Sequence, residues 1–392
     1  IVTLDGQVMN PGGSMTGGSV NREAGILSRA NELEKLTAQE KELTDEQKLA
    51  QSERESLFVV NQWARDYFQH ILKNHEEGKS VGMAYLRNRG FRDDIIKKFQ
   101  LGFCPDAIQY NLGKDALKAG YLEKYLINTI DQKEPRNSIG TGLCIKNEKG
   151  DLKDRFRGRV IWPIFTISGK VAGFGGRVLD AATKGVNVKY LNSPESLVYS
   201  KRKELFGLYH AKEAIRKQDL CYLVEGYTDV IAMHQCGVEN VVANSGTALS
   251  THQVHILHRF TNNIVLLYDG DEAGIKAAMR GTDMLLSEGM NVKVLLLPDG
   301  DDPDSFSRKH SAEELKRYIE EHQKDFIQFK TEMLLNGVTD PIKRSEAIGS
   351  IVRSVSVIPN QIIRDTYLRE CSQRLQMNEQ TLINTMNNYI RS

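Results

Sequence analysis

Three acidic clusters, each following an apolar run, constrain this chain more than any other feature. They read Glu225-Gly-Tyr-Thr-Asp229, Asp269-Gly-Asp271 and Asp302-Pro-Asp304. Apolar runs of four to six residues that stop at Gly and Asp are typical of parallel strands buried on both faces. Helix-length segments at 228–237, 249–260 and 272–288 lie between the clusters, and 241–243 predicts a further short strand.

This alternation of strands and helices predicts right-handed crossovers and a parallel sheet. All carboxyl ends of the strands then lie on one edge, where ligand sites of open α/β sheets form. We therefore expect Glu225, Asp269, Asp271, Asp302 and Asp304 to converge although they are far apart in sequence.

Clustered carboxylates repel one another, and ionising them together is costly unless a cation neutralises them. Oxygen ligands of this kind favour Mg²⁺ or Mn²⁺, and two such ions suit phosphoryl transfer. The alternative interpretation is that Asp and Gly after strands are ordinary turn residues. Three clusters at successive strand ends favour the metal site.

The three motifs resemble the signature of the toprim domain, in the version found in bacterial primases of the DnaG type. The resemblance covers about residues 42–392. It implies that Glu225 assists catalysis as acid or base together with Asp269 and Asp271. It also implies two or more Mg²⁺ or Mn²⁺ ions, held by Glu225, Asp269, Asp271, Asp302 and Asp304, with Asp229 supporting that site.

A net charge of +1 hides a strong segregation of charge. Residues 151–203 contain eleven Lys and Arg against four Asp and Glu, whereas residues 221–304 contain four against twelve. Such an arrangement suits an enzyme that binds a phosphate backbone with one surface and metal with another. A pair of ordinary solvated faces is the alternative.

The basic segment reads as strands, with a turn at Ser168-Gly169 between two apolar runs. It resembles the basic surface of the primase family, which implies contacts with template DNA and incoming nucleotide. The candidate residues are Arg177, Lys189 and Lys201, with Asn192 as a positioning group and Arg157 and Arg159 beside them. With few aromatic residues interleaved, the surface is expected to bind the backbone rather than to read bases.

The predicted fold class is α/β (α+β overall), a parallel toprim sheet flanked by helices. A mixed basic subdomain with helices at 57–125 precedes it, and a bundle that is helical throughout follows. The predicted domains are a hinge-like fragment at 1–41, a linker at 42–56, the basic subdomain at 57–218, the catalytic domain at 219–310 and a helical subdomain at 311–392.

The first 38 residues, with two short strand candidates, resemble a piece of the hinge and coiled coil of structural-maintenance-of-chromosomes proteins. The motif that carries this resemblance is Pro11-Gly-Gly-Ser-Met-Thr-Gly-Gly18. The rest of that hinge is missing, so we expect no function from it. A fusion, a cloning scar or a chimeric gene is the preferred explanation.

The five cysteines are scattered, without Cys-x-x-Cys spacing, which predicts neither a zinc site nor disulfides. His252, His255 and His258 lack a Cys or carboxylate partner nearby, so we expect no zinc there either. Reduced thiols indicate the cytoplasm. The resemblance to bacterial primases implies a bacterial protein that is associated with the nucleoid at the replication fork. No apolar run is long enough to cross a membrane.

The resemblance to bacterial primases implies a nucleotidyltransferase that joins ribonucleoside triphosphates into RNA primers on single-stranded DNA. The replicative helicase is an expected partner of the full-length protein. With no zinc module before the core and no further helical domain after residue 392, we expect template-sequence selection and helicase docking to be lost.

Three rival hypotheses remain at this point. A toprim nuclease or topoisomerase shares the acidic edge but breaks DNA, and a phosphatase would use Asp269 and Asp271 as a nucleophile pair. A non-enzymatic chromosome-scaffold fragment, suggested by the first 40 residues, predicts DNA binding without metal dependence.

Overall fold

A computed structural model describes residues 8–9, 15–16, 51–106, 111–128, 140–179, 188–244 and 248–391, with only the backbone at 8, 9, 15, 16 and 299. The chain divides into two compact units, 1–56 and 57–392. In the first unit, β1 (Val8–Met9) and β2 (Met15–Thr16) pair antiparallel, as the two strand candidates predicted. Most of the hinge-like stretch, and the linker through residue 50, lie outside the described residues.

The second unit opens with helices and short strands. The helices are α1 (described from residue 51 to 74), a π-helical segment (Gly78–Met83) that continues into α2 (Ala84–Asn88), α3 (Asp93–Lys98), α4 (Leu112–Lys118) and α5 (Glu123–Leu126). The strands are β3 (Gly102–Cys104), β4 (Cys144–Lys146), β5 (Leu152–Asp154), β6 (Arg159–Phe165), β7 (Val171–Val178) and β8 (Tyr190–Asn192). Strands β3, β6, β7 and β8 form an antiparallel sheet in that order, and β4 pairs with β5.

The turn predicted at Ser168-Gly169 is confirmed between β6 and β7. Gly169 has a φ of +88°, which favours glycine because it carries no Cβ. By contrast, our prediction that residues 57–125 are helical is wrong at β3. This strand is only three residues long and fully buried, so no alternation of apolar and polar residues marks it.

The parallel sheet follows helix α6 (Leu208–Gln218). Its elements are β9 (Cys221–Val224), α7 (Tyr227–Gln235), β10 (Val241–Ala243), α8 (Thr251–His258), β11 (Asn263–Tyr268), α9 (Glu272–Ser287) and β12 (Asn291–Leu296). A 3₁₀ turn (Pro298–Gly300) and α10 (Pro303–Lys309) come next. The strand order is β10-β9-β11-β12, all parallel, so the predicted sheet and its connecting helices are confirmed.

The last part of the chain consists of α11 (Ala312–His322), β13 (Lys324–Asp325), α12 (Phe326–Leu335), α13 (Pro341–Ser356), α14 (Gln361–Leu375) and α15 (Glu379–Arg391). Strand β13 pairs antiparallel with β12 at the edge of the sheet. The expectation of helix throughout is therefore wrong at these two polar residues, which carry no strand signal of their own. The break predicted at Pro359 is confirmed between α13 and α14.

Apolar side chains of the bundle and of one sheet face belong to a single core. Ile351 and Leu368 of the bundle share it with Leu266 of β11 and Leu285 of α9. Lys330 of α12 is buried within this region and donates to Asp283 of α9 at 2.7 Å. The bundle is thus packed against the sheet that carries the acidic clusters, and the predicted fold class is confirmed. The domain boundaries of the sequence analysis remain predictions.

None of the helices in the described part of the chain combines the length and the hydropathy that a membrane-spanning segment requires.

Candidate active site at the acidic edge

The three acidic clusters all follow strands at the carboxyl edge of the parallel sheet. Glu225 comes directly after β9 and Asp269 directly after β11, and these two strands are neighbours. Asp302 lies beyond β12, where it caps α10. We call the edge that carries Glu225, Asp229, Asp269, Asp271, Asp302 and Asp304 the acidic edge.

Two glycines allow the loops of the acidic edge to pack closely. A Cβ on Gly274 would lie 2.2 Å from the Asp269 carbonyl oxygen, so the start of α9 sits directly against the end of β11. A Cβ on Gly270 would lie 2.6 Å from the Leu297 carbonyl oxygen, so the loops after β11 and β12 touch. Real Cβ atoms do not approach other atoms this closely, which explains why glycine stands at both places.

Glu225 and Asp269 form the centre of the acidic edge. The Glu225 carboxylate accepts a hydrogen bond from the Asp269 backbone N–H, while its Oε1 atom is buried without a hydrogen-bond partner. Burial and the negative charges of Asp271 and Asp302 raise the pKa of Glu225. Burial, followed by the charges of Glu225, Asp302 and Asp271, raises the pKa of Asp269 to about 7. The predicted convergence of these four carboxylates is therefore present.

Asp271 and Asp302 use one side-chain oxygen each to cap a helix. Asp271 accepts from the Gly274 N–H at 2.7 Å, and Asp302 accepts from the Ser305 N–H at 2.6 Å. Capping satisfies backbone donors that the first turn of a helix leaves free. Capping also fixes the orientation of each of these two carboxylates relative to Asp269.

Asp229 is buried and ties two of the loops together. Its carboxylate accepts from the Gly226 N–H at 3.0 Å and from the Asp304 N–H at 3.3 Å. Burial and the nearby carboxylate of Asp302 raise its pKa well above the usual range of an aspartate. Asp229 thus connects the loop after β9 to the start of α10, and its supporting role at the site stays a prediction.

Asp304 already has cationic partners in this structure. Its side chain is 1% exposed and pairs with Arg89 of the segment after α2, and Arg308 lies 3.5 Å away. Burial raises the pKa of Asp304, while Arg89 and Arg308 oppose the rise. Sequence reasoning missed this pair because 215 residues separate its members.

The basic surface meets the acidic edge at Arg177. Its guanidinium lies 5.5 Å from the ring centre of Tyr85 and 5.4 Å from that of Tyr190. The positive charge of Arg177 also lowers the pKa of Asp304. Arg177 therefore stands between two aromatic rings beside the carboxylates.

The other predicted basic residues have different surroundings. Lys189 is exposed, whereas Arg159 is buried and donates to the carbonyl oxygens of Val188 and Lys189. Arg157 pairs with Asp106 at 2.7 Å. Arg159 and Arg157 thus stabilise the protein internally, and Arg159 holds the backbone that presents Lys189.

Asn192 and Lys201 complete the predicted set. Asn192 accepts a hydrogen bond of 2.6 Å from the Tyr227 hydroxyl at the start of α7, which links β8 to the acidic edge. Lys201 is half-buried, its backbone N–H donates to Glu195 at 2.8 Å, and its carbonyl oxygen accepts from Gln253. Both residues therefore lie in segments held against the rest of the unit.

The donor chemistry of the acidic edge fits a divalent cation. The buried Oε1 of Glu225 without a partner and the raised pKa of Asp269 both indicate negative charge that is short of compensation. Across the described residues, no three His, Cys, Asp or Glu side chains are arranged to hold one ion together. Mg²⁺ commonly uses one or two carboxylates plus water and substrate phosphates, so such a cage is not required.

Comparison with protein-family models covers most of the second unit. Residues 67–212 match the N-terminal domain of the DNA primase catalytic core, and residues 222–307 match a Toprim-like domain. Residues 327–380 match the DnaB-helicase binding domain of primase.

Individual relatives agree with the family models. The chain is 36% identical to the DNA primase of Halalkalibacterium halodurans over 331 residues, which are 83% of this chain and 52% of that protein. The crystal structure of the zinc-binding and RNA polymerase domains of Aquifex aeolicus primase superposes with a TM-score of 0.70 at 32% identity, over 84% of this chain and 75% of that one. A DnaG primase catalytic domain bound to ssDNA gives 0.68 at 30% identity, over 82% and 99%.

The chain thus spans about half the length of the curated relatives that it matches. The match at 327–380 contradicts our expectation that the chain lacks a helicase-docking segment. The apolar stripes of these helices predict core contacts only, and their buried residues do pack in the core. The outer faces of these helices carry additional apolar side chains, among them Ile362, which is 77% exposed. Packing in the core does not explain why apolar residues stand at these exposed positions.

Replacing Arg89 with Met should lower the free energy of unfolding by about 3 kcal/mol. The reason is that the buried Asp304 carboxylate then keeps only the more distant Arg308 as a cationic partner. Arg87→Met is the matched control, since Arg87 is exposed and should change stability by no more than about 0.5 kcal/mol. Urea unfolding measures both. A loss in Arg89→Met no greater than in Arg87→Met, or no recovery on adding Asp304→Asn, would contradict the pairing.

The pKa of Asp269 predicts a pH dependence of stability in metal-free buffer. Its ordinary value is 3.8 and its folded value is about 7, so the folded protein keeps a proton that the unfolded chain releases between these values. The free energy of unfolding should therefore fall as pH rises from about 4 to about 7. Asp269→Asn removes this contribution, and its stability relative to the parent should increase across that window.

Chemical unfolding of both proteins in EDTA, at pH values from 5 to 8, tests the point. A difference between variant and parent that stays constant with pH would show that Asp269 does not retain the proton.

Proposed function

The chain belongs to the DnaG-type bacterial DNA primases, and we propose from this that it synthesises RNA primers on single-stranded DNA. The substrates are ribonucleoside triphosphates, and the reaction is nucleotidyl transfer at the replication fork. The observation that carries the proposal is the meeting of Glu225, Asp269, Asp271 and Asp302 at one sheet edge. No finding favours the nuclease, phosphatase or scaffold hypotheses over primer synthesis.

In the proposed reaction, the 3′-oxygen of the growing primer forms a bond to the α-phosphorus, and the bond to pyrophosphate breaks. Glu225 assists as the acid or base nearest to the acceptor hydroxyl, because its raised pKa and its unpartnered Oε1 suit proton transfer. Asp269 and Asp271 act beside Glu225 as the other two catalytic residues. Asp229 connects the loop after β9 to the start of α10 by accepting hydrogen bonds from the backbone N–H groups of Gly226 and Asp304.

Toprim domains of this family act with divalent metal, and we infer that Mg²⁺ or Mn²⁺, in two or more ions, is the cofactor. Glu225, Asp269, Asp271 and Asp302 are the residues we expect to hold it, since Asp304 already pairs with Arg89. Metal bound there supplies charge compensation for the carboxylates and for the phosphates during transfer.

The triphosphate and the template backbone belong on the cationic side of the acidic edge. Arg177 lies near Asp304 and is held between Tyr85 and Tyr190, so its guanidinium is preorganised for a phosphate. Lys189 adds an exposed charge directly before β8, and Lys201 adds a half-buried one. The similarity to a DnaG catalytic domain bound to ssDNA supports this assignment.

The DnaB-type replicative helicase is the proposed protein partner. The matched segment 327–380 includes the end of α13 and the start of α14. Val357, directly after α13, and Ile362 and Ile363, in the first turn of α14, are exposed by 36%, 77% and 38%. Apolar side chains grouped on a surface commonly mark a protein contact. The bacterial cytoplasm is the proposed location, which suits the five free cysteines.

A de novo primer synthesis assay tests the catalytic assignment. Glu225→Gln and Asp269→Asn should each lower the rate on a single-stranded template by about 100-fold or more, because each removes a group needed for proton transfer or charge compensation. Glu272→Gln is the matched control, since Glu272 belongs to the same acidic motif but is 83% exposed and pairs with Lys276.

Retention of the parental rate by either variant would refute the assignment. Labelled DNA incubated with Mg²⁺ but without nucleotides should remain intact. Cleavage there would favour the nuclease hypothesis.

Helicase binding is tested by substitution in the first turn of α14. Ile362→Asp should weaken binding of the full chain to a DnaB helicase by about tenfold or more, because a charge would be buried in the contact. Ile390→Asp is the control, since Ile390 is exposed by 49% but lies outside the matched segment. Equal affinities of the two variants in fluorescence anisotropy would overturn this docking surface.

A further inference from the structure

A cavity of about 380 Å³ opens beside Glu225, on the face of the sheet where Tyr268 and α9 pack. Helix α10, which carries Asp304, packs in the core of the other face through Phe306. Its walls come from the ends of three strands and from α9. The lining residues are Glu225, Asn244, Tyr268, Arg280 and Met284, together with the small or apolar residues Ala248, Leu249, Ala273, Ala277 and Gly281. Neither the motifs nor the family resemblance assigns a ligand to this cavity.

Among the described residues, the polar side chains that line the cavity are those of Glu225, Asn244, Tyr268 and Arg280. Glu225 is one of them, and its Oε1 is buried without a hydrogen-bond partner. The Tyr268 side chain is close enough to Glu225 and Arg280 for both charges to act on it. A Cβ on Gly281 would lie 3.9 Å from the Tyr268 hydroxyl, so the absence of a side chain at Gly281 keeps space in front of that group.

The remaining wall is apolar and narrow. Leu249, Ala277 and Met284 supply carbon surface, and Ala273 keeps the α9 side of the cavity open. Apolar walls with a small number of polar groups are typical of small-molecule sites. A volume of about 380 Å³ is near the lower end of the range for ligand pockets, which fits one nucleoside rather than a longer ligand.

The charges of the cavity do not suit a triphosphate. Among its described lining residues, Arg280 is the single cation, and Glu225 opposes it. Arg89 and Arg177 instead lie on the Asp304 side of the acidic edge. The two sides of the edge therefore differ: one is cationic, and the other is a nearly neutral cavity that reaches Glu225.

From this difference, and resting on the proposed primer synthesis, we propose that the cavity binds the ribose and base of the nucleotide that carries the acceptor 3′-hydroxyl. Tyr268, Asn244 and Arg280 supply hydrogen-bonding groups, and Leu249, Ala277 and Met284 contact the ring. Glu225 then reaches the acceptor hydroxyl from the mouth of the cavity. The incoming triphosphate occupies the cationic side, so the two reactants approach the carboxylates from opposite directions.

Ala277→Leu in the full chain tests the proposal by filling the cavity from α9. The probe is a ribodinucleotide without a 5′-phosphate, which resembles the primer end and carries no triphosphate. Binding measured by saturation-transfer NMR should weaken by about tenfold or more, because added carbon occupies the ring site. Ser287→Leu is the control, since it adds the same side chain at an exposed position of α9 and should leave binding unchanged.

A second variant guards against misfolding of Ala277→Leu. Gly281→Ala adds one carbon whose nearest side-chain atom is 3.3 Å away, so the helix should tolerate it while the cavity becomes smaller. It should weaken dinucleotide binding by a smaller factor. Unchanged binding in both cavity variants, with both folded by circular dichroism, would overturn the proposal.

Template-directed extension of the dinucleotide separates the two reactants. Ala277→Leu should raise the KM for the dinucleotide and leave the KM for ribonucleoside triphosphate within about twofold. An equal rise in both KM values would overturn the proposal in favour of the incoming nucleotide. If no variant or parent makes primers but the binding loss is found, the proposed function fails while the cavity remains a nucleoside site.

Discussion

The repulsion between carboxylates gathered at one edge of a buried sheet is the constraint on which the rest of the structure depends. Parallel pairing of β9, β11 and β12 brings their carboxyl ends together, and the glycines at 270 and 274 let the loops touch. Burial then raises the pKa of Glu225 and brings that of Asp269 to about 7. A site of this kind is stable only if protons, helix ends or cations offset its charge.

The structure offsets the charge of four of the six carboxylates, in three different ways. Asp271 and Asp302 face the first turns of α9 and α10, Asp229 accepts two backbone N–H groups, and Asp304 pairs with Arg89. Glu225 and Asp269 are left with the least compensation. The two residues at the centre of the proposed chemistry are therefore the ones that most need a bound cation or substrate.

The junction between the antiparallel and parallel sheets explains how the basic and acidic surfaces act together. Arg89 follows α2 and contacts Asp304, and the Tyr227 hydroxyl at the start of α7 donates to Asn192 of β8. Arg177 lies at the same junction beside Tyr85. A change at this junction would alter the distance between the basic residues and the carboxylates, to which we assign phosphate binding and metal binding, even if none of these residues were replaced.

Much of the parallel sheet could be predicted from sequence because its strands are continuous apolar runs that end at Gly or Asp. The strands at 102–104 and 324–325 could not, since segments of two or three residues acquire their structure from a neighbouring strand. The carboxylates of the site were predicted from their position after strands. The pair between Arg89 and Asp304 was not, because no local pattern connects residues 215 positions apart.

The basic residues also show that the sequence alone does not reveal the tertiary surroundings of a side chain. Arg159 and Arg177 are both arginines of one basic segment, yet Arg159 is buried against backbone carbonyls while Arg177 reaches the acidic edge.

The most direct measurement of the central claim is calorimetric titration of Mn²⁺ into the full chain near pH 7, in buffers of different ionisation enthalpy. Binding should release protons and be lost in the Glu225→Gln, Asp269→Asn double variant. Unchanged binding in that variant, or binding without proton release, would contradict the account.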